Sequence, residues 1–477
     1  MQERYDVIII GSGPNGLSAG VVLAREGLRV LIVERASTVG GGTRTVNGMT
    51  MPGFRHDVCA AVHPMGALSP FFRSLGLEKF GLEWVYPGIS VAHPMDDGPA
   101  VVLTRSLEET ADGLGVDAQR YSRLMRPFVE RIDDLLEDAL APLRIPRHPF
   151  LLARFGMHGL QPAWGFAHRH FREQRARALF AGCAAHAILP FSKYFTTAMG
   201  LVFLASGHAV DWPVAKGGSQ AIAVALLNAF RSHGGELQLG MHVNDLADLP
   251  HARAYLFDTD PLQLARIAGD RLPFGYQRRL AQFQFGPGVF KIDLALNAPI
   301  PWSDPRCASA STVHVGGTIA EVARSELDAW EGRVSARPFV LVAQQSLFDR
   351  TRAPEGHHTA WAYCHVPAGS TVDMSAVIID RIERSAPGFR ETILASHAMN
   401  TTQFHDHNPN YVGGAVTGGA AHLAQLFTRP VARFDPYTTP NHRLFICSAS
   451  TPPGGGVHGM CGFHAARSVL QRWKSLR

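Results

Sequence analysis

The opening of the chain, residues 5–34, most constrains what it can fold into. Residues 5–11 (YDVIIIG) are a short apolar run rich in β-branched side chains, the pattern of a strand buried on both faces. The run enters G-S-G-P-N-G, with glycines at Gly11, Gly13 and Gly16. Residues 17–26 then read as a helix whose Ala19 and Gly20 are small enough to approach a sheet closely. A second strand, residues 29–33, ends at Glu34, 18 residues past Gly16. A glycine triad alone is a weak signal. Strand, triad, helix, strand and terminal acid in this order predict a βαβ unit that binds a dinucleotide.

Each part has a physical task. Gly11 permits the tight turn, Gly13 lets the backbone approach a pyrophosphate, and Gly16 allows close helix–strand contact. The helix N-terminus offers unpaired N–H groups and partial positive charge to the phosphates. Glu34 is placed to accept hydrogen bonds from both ribose hydroxyls, and an acid here disfavours a 2′-phosphate, so FAD or NAD fits better than NADP. Pro14, Asn15 and Arg35 fall within the same expected site. A second glycine-rich turn follows, V-G-G-G-T-R-T over residues 39–45. Gly41 and Gly42 would let the chain pass beside the cofactor, flanked by Thr43 and Thr45, and Arg44 is placed to neutralise pyrophosphate charge.

A matching signal lies near the other end. Residues 443–447 (RLFIC) read as a strand, followed by S-A-S-T-P-P-G-G-G-V-H-G-M over 448–460. Residues 461–473 carry a helical pattern with Ala465, Ala466, Val469 and Leu470 on one apolar face. Strand, glycine-rich turn and helix present backbone N–H groups to an anion or a polarised ring. So little side-chain bulk suits a flat ring system.

The pairing of GSGPNG with ASTPPGGGVHGMCGFHAA resembles the phytoene-desaturase-like family of FAD oxidoreductases, within the wider amine-oxidase-type flavoproteins. It is most similar to members described as pyridine nucleotide-disulfide oxidoreductase-domain or carotenoid-dehydrogenase-like proteins. The resemblance runs along most of the chain and includes W-P-V-A-K-G-G-S-Q (212–220) and N-P-N-Y-V-G-G (408–414). It implies an α/β fold: a Rossmann-type FAD-binding domain of the p-hydroxybenzoate-hydroxylase/amine-oxidase kind with an inserted α+β substrate domain. It also implies that Ser448, Ser450, Gly456, Val457, His458, Gly459 and Met460 lie at the flavin, and that Val243 meets the adenine. The family commonly has a β-hairpin after the adenine strand; here residues 236–243 lead almost directly to 254–259, so the hairpin is expected to be short or missing.

With 477 residues, two intertwined domains are expected. Residues 1–75, 211–271 and 431–477 are assigned to the FAD-binding domain, and 76–210 and 272–430 to the substrate domain. The second set holds a helical stretch over 118–141, strand-like runs at 288–296 and 339–343, and a helix over 374–384. Its aromatic residues include Phe191, Tyr194, Phe195, Phe203, Trp212, Phe283, Phe285 and Trp361. Residues of this kind are more often core than pocket. A hydrophobic tunnel is what the resemblance implies.

Hydrophobic residues make up 46% and charged ones 18%, which excludes disorder. The formal charge of +5 is dispersed, with no Lys/Arg block of the nucleic-acid kind. The six cysteines show no CxxC and read as reduced thiols, consistent with a cytoplasmic protein. The strand pattern begins at Tyr5, so no signal peptide is expected ahead of it. The most apolar stretch, 194–210, contains Gly200, Gly207 and His208 and falls short of the roughly 20 residues a spanning helix needs. It reads as a core helix, with peripheral membrane contact left open.

No triad, paired-carboxylate motif or metal spacing stands out among the 23 histidines. His405 and His407 read as solvent-facing loop residues. A flavin needs little help, since it accepts hydride at N5 while a nearby group or water takes the proton. His458 is the candidate for that proton, against the plainer reading of a histidine bonded within its own turn, and His63 is a weaker candidate of the same kind. No second nicotinamide module is visible, so electrons are expected to enter from substrate and leave to oxygen or a quinone-like acceptor. The expected reaction is dehydrogenation of carbon–carbon bonds in an isoprenoid/carotenoid-like or acyl substrate. A redox-neutral isomerase or saturase, an amine oxidase and a non-catalytic FAD-bound scaffold stay open. The amine oxidase needs an aromatic cage, for which the C-terminal turn offers Phe463 alone.

Overall fold

The computed structural model describes residues 5–476. The β-branched runs become a five-stranded parallel sheet, in the order Leu444–Ile446, Ala252–Phe257, Tyr5–Ile10, Val30–Val33 and Glu236–Gln238. Val7 lies opposite Val30 on one side and Ala254 on the other, and Val7, Ile8 and Ile9 are fully buried. Burial on both faces accounts for the unbroken apolar run.

Helix α1 (Pro14–Arg25) starts directly after the first strand, with Gly13 as N-cap and Pro14 in the first turn. Helix α2 (Thr196–Val210) is mostly buried, and helix α3 (Gln220–Ser232) packs on α1 where Gly20 leaves room for the Phe230 ring. Helix α4 (Met460–Arg472) crosses α1 on the sheet. Gly462 makes this crossing possible, because a Cβ there would run into the carbonyl oxygen of Asn15. Gly462→Ala is therefore expected to destabilise the protein by about 1–3 kcal/mol through forced backbone displacement. An unchanged urea midpoint for that variant would refute the tight crossing.

A second sheet of seven strands runs Ile393–Met399, Gly288–Leu296, His358–Val366, Val340–Ala343, Ala310–Val315, Ile89–Met95 and Gly98–Leu103. It is antiparallel except where Ala310–Val315 pairs with Ile89–Met95. Every residue of Gly288–Leu296 is buried. A helical layer over 107–210 and the helix Ile319–Trp330 pack around this sheet.

Two local readings are corrected by the structure. Residues 118–141 form two helices, Ala118–Val129 and Ile132–Ala139, rather than one stretch. Pro127 removes a helix hydrogen bond near the first C-terminus, and Arg131 leaves the helical region (φ −126°, ψ 36°). His405 and His407 lie on the helix Thr401–His407, not on a loop. The signal was present: Asn400 and Gln403 form a capping box, with Asn400 Oδ1 accepting the Thr402 and Gln403 N–H groups. The stretch 236–243 is a strand only over Glu236–Gln238. It then folds back as Gly240 and Met241 donate N–H bonds to the Ala36 and Glu34 carbonyls, in line with the short or missing hairpin expected there.

Residues 194–210 are realised as α2, and among the described residues no helix is long and apolar enough to cross a membrane.

Candidate active site

A cleft opens at the carboxyl ends of the parallel strands, where open α/β sheets bind their ligands. Gly11, Gly13, Pro14, Asn15, Glu34 and Arg35 line it from the first βαβ unit. Gly41, Gly42, Thr43, Arg44 and Val243 form another wall, and Ser448, Ser450, Gly456 and Val457 reach it from the C-terminal turn. Gly16, Thr45, His458, Gly459 and Met460, also singled out in the sequence, lie outside this lining. Thr45 Oγ1 donates to Asp57 Oδ1 (2.6 Å) and accepts the Gln220 N–H, which ties the second glycine turn to α3. Gly459 caps α4, where a Cβ would strike Ser18 Oγ.

Glu34 is buried and richly bonded. Its Oε2 accepts the N–H (3.0 Å) and hydroxyl (2.7 Å) of Ser12; its Oε1 accepts the Ala36 N–H (2.8 Å) and Arg44 Nη2 (2.9 Å). Arg44 lines the cleft, and its guanidinium is engaged by Glu34 and the Thr38 carbonyl.

The sequence reading missed Asp258, at the end of Ala252–Phe257. Its Oδ2 accepts the Gly16 N–H (2.9 Å) at the first turn of α1. Burial pushes its carboxyl up to about 8, and the nearby Glu34 charge adds to this, outweighing the hydrogen bonds from Gly16 and Gly13. Asn410 closes the same corner by donating to the Asp258 carbonyl and accepting the Asp260 N–H. A raised folded-state pKa means that folding favours the protonated carboxyl. That stability is complete below the ordinary carboxylate range and is lost as pH rises towards 8. Asp258→Asn keeps the acceptor and cannot ionise, so its unfolding temperature is expected to fall less than the wild type's between pH 6 and 9. Parallel pH profiles would contradict this.

The cleft fits a dinucleotide carrying a flat ring. Its floor is bare backbone: a Cβ on Gly41 would stand 3.3 Å from Gly13 Cα, and one on Gly455 would stand 2.5 Å from the Thr417 carbonyl oxygen. The buried Asn15 Oδ1 has no hydrogen-bond partner within the protein. A glycine floor, helix-terminal N–H groups and an acid beyond the second strand match such a group.

A second, larger cavity lies alongside. Phe155 and Phe195, Val202 and Phe203 of α2, Trp212, Leu341 and Trp361 make its walls predominantly apolar. Of the aromatics noted in the sequence, Phe195, Phe203, Trp212 and Trp361 face it, whereas Phe191 is core and Tyr194 is exposed. Six residues, Cys59, Ala60, Val416, Gly455, Gly456 and Val457, line both cavities, so the two spaces meet there. Lys291 enters the second cavity, with Nζ donating to Asp293 Oδ2 and to the Asp57 carbonyl (2.9 Å).

His458 also lines the second cavity. Its Nδ1 accepts the Met460 N–H (3.1 Å), the backbone of Gly454 and Gly455 bonds the ring as well, and burial lowers its pKa to about 4. His63 lines neither cavity; its Nε2 meets Ser219 Oγ at 2.8 Å, and burial lowers its pKa to about 4 too.

The family model for an NAD(P)-binding Rossmann-like domain matches residues 9–75. The whole chain aligns at 25% identity with 95% of the pyridine nucleotide-disulfide oxidoreductase domain-containing protein 2 of Rattus norvegicus. Among solved structures, an oxidoreductase from Methanosarcina mazei superposes with a TM-score of 0.67 at 16% identity, covering 98% of this chain and all of that one. Putrescine oxidase bound to putrescine gives 0.63 at 18% identity, covering 98% and 99%. The chain shares its fold with these oxidoreductases. Within that fold, the matched N-terminal residues form the βαβ unit on which the cleft is built. FAD is the cofactor that fold and cleft together support.

Proposed function

We propose that this chain is an FAD-dependent oxidoreductase that removes two hydrogens from a carbon–carbon bond of a hydrophobic, isoprenoid-like or acyl substrate. The observation that carries the reading is the meeting of the glycine-floored cleft with a large apolar cavity at Gly455, Gly456 and Val457. FAD, when bound, supplies the two-electron acceptor for a hydride equivalent. The residues of the chain supply the rest. Phe155, Phe203 and Trp361 exclude water and hold an apolar chain against the junction, while bare backbone there allows close approach. The helix Pro149–Gly159 turns Phe155 inward, while Phe150 and Met157 are exposed, so this wall is apolar on both sides.

His458 acts in this reading by holding the turn rather than by moving protons, because its ring is uncharged at neutral pH and already bonded. The second hydrogen leaves the substrate as a proton released to solvent water, and oxygen or a quinone-like molecule takes the electrons onward.

Amine oxidation is a second reading, favoured by one feature. Trp361 and Tyr363, with ring centroids 4.8 Å apart, both line the apolar cavity and offer an aromatic pair that Phe463, packed on Phe71, does not. Anaerobic mixing of the flavin-loaded protein with polyenes, acyl lipids and amines distinguishes the readings by flavin bleaching and product mass. Bleaching by a polyene or acyl lipid, with a product two hydrogens lighter, is the expected result. Bleaching by amines alone would replace the proposal with amine oxidation, and a product of unchanged mass would replace it with isomerisation.

A further inference from the structure

Two cations line the apolar cavity, and they differ in one respect. Lys291 is ion-paired to Asp293. Arg429 is only 1% exposed and has no carboxylate partner among the described residues. Its Nη1 donates to the Ala449 carbonyl at 3.3 Å, a long bond, and its Nε has no partner among the described residues. Cys461 acts on it electrostatically, but that thiol is pushed up to about 11 by burial and therefore stays neutral. A guanidinium taken out of water without a counter-charge is strongly disfavoured, which is why buried arginines in proteins are nearly always paired. Its fork geometry matches a carboxylate.

The position is equally specific. A Cβ on Gly454 would stand 2.9 Å from Arg429 Nη1, so the guanidinium lies against the C-terminal glycine turn beside Gly455 and Gly456, where the two cavities meet. Ala421, Leu426 and Pro453 are among the other residues that line this cavity.

We infer that Arg429 is an anion subsite of the apolar cavity and that the ligand it takes is an apolar chain ending in a carboxylate. This deepens the hydrophobic-substrate reading and rests on it. The acid supplies the counter-charge that the protein withholds, the chain fills the aromatic cavity, and the paired end fixes which carbon atoms lie at the junction.

The test compares a C16 monounsaturated fatty acid with the alcohol of the same chain, each titrated into the flavin-loaded protein while the flavin absorbance band is followed. The acid is expected to bind the wild type at least tenfold more tightly than the alcohol. Arg429→Gln should abolish that preference by weakening the acid alone, and Arg429→Lys should restore part of it. Equal binding of acid and alcohol to the wild type would overturn the inference while leaving the hydrophobic-substrate reading intact. An acid preference that survives in Arg429→Gln would overturn it as well. Absence of binding by both chains would bring down the parent reading together with this one. The wild-type comparison needs no variant, so it decides even if Arg429→Gln releases its flavin.

Discussion

Arg352→Met is expected to lower the stability of this protein by roughly 3–5 kcal/mol, the cost of removing one partner from a buried ion pair. Arg352 is 1% exposed and bridges two carboxylates, with Nη1 donating to Asp57 Oδ2 and Nε to Asp349 Oδ2, both at 2.8 Å. The network joins the segment after the second glycine turn to the loop at Asp349, and Nη2 adds a bond to the Ala215 carbonyl. Asp57 further accepts the Ser219 N–H and the Thr45 hydroxyl. Methionine preserves much of the volume but strands both carboxylates. Urea unfolding followed by circular dichroism measures the effect; a loss below 1 kcal/mol would mean that water replaces the guanidinium at little cost.

The same network gives an acid dependence with a definite sign. Burial by itself would raise the Asp57 carboxyl, but Arg352 and the hydrogen bonds from Thr45 and Ser219 outweigh it and hold it low. Asp349 is also held low, with burial opposed by Thr351, Arg352 and Gly217. Depressed folded-state values contribute stability that is present above the ordinary carboxylate range and lost as pH falls below about 4. Arg352→Met should flatten this acid limb.

Glu34→Ala carries the second large effect, on cofactor and fold together. Loss of a charge-assisted hydrogen bond to the ribose is worth about 1.5–3 kcal/mol, so FAD should bind roughly 10- to 150-fold more weakly. The substitution also leaves Arg44, 6% exposed, without its carboxylate. Flavin fluorescence released on dilution reads the first effect, and the unfolding midpoint of the flavin-free protein reads the second. Glu34→Gln separates them, since it keeps the acceptor oxygen for Ser12 but loses the charge opposite Arg44. Wild-type flavin retention in Glu34→Ala would remove Glu34 from the ribose site.

The glycine turns and flanking strands were legible because their signals are local. Residues 5–34 fix the strand, turn and helix within one continuous stretch, and the C-terminal turn repeats that logic. Sequence could not show that Leu444–Ile446 pairs with Ala252–Phe257, which pairs in turn with Tyr5–Ile10. That order depends on partners hundreds of residues apart. Asp258 and Arg429 escaped notice for the same reason. Each is a single charged residue without a spacing rule, and what makes it notable is burial and the identity of its neighbours. Arg44 adds a contact of the same kind: its place among glycines suggests a phosphate, and a carboxylate ten residues earlier in the chain also lies 2.9 Å away.

The boundary between the two cavities is drawn by Cys59, Ala60 and Val416 together with the main chain around Gly455 and Gly456, whereas the far walls of the larger cavity come from helices and strands between residues 136 and 363. Substitutions along those distant walls can therefore reshape which molecules enter without rebuilding the place where electrons cross. A scaffold of this kind diversifies by refurnishing one room and leaving the doorway alone.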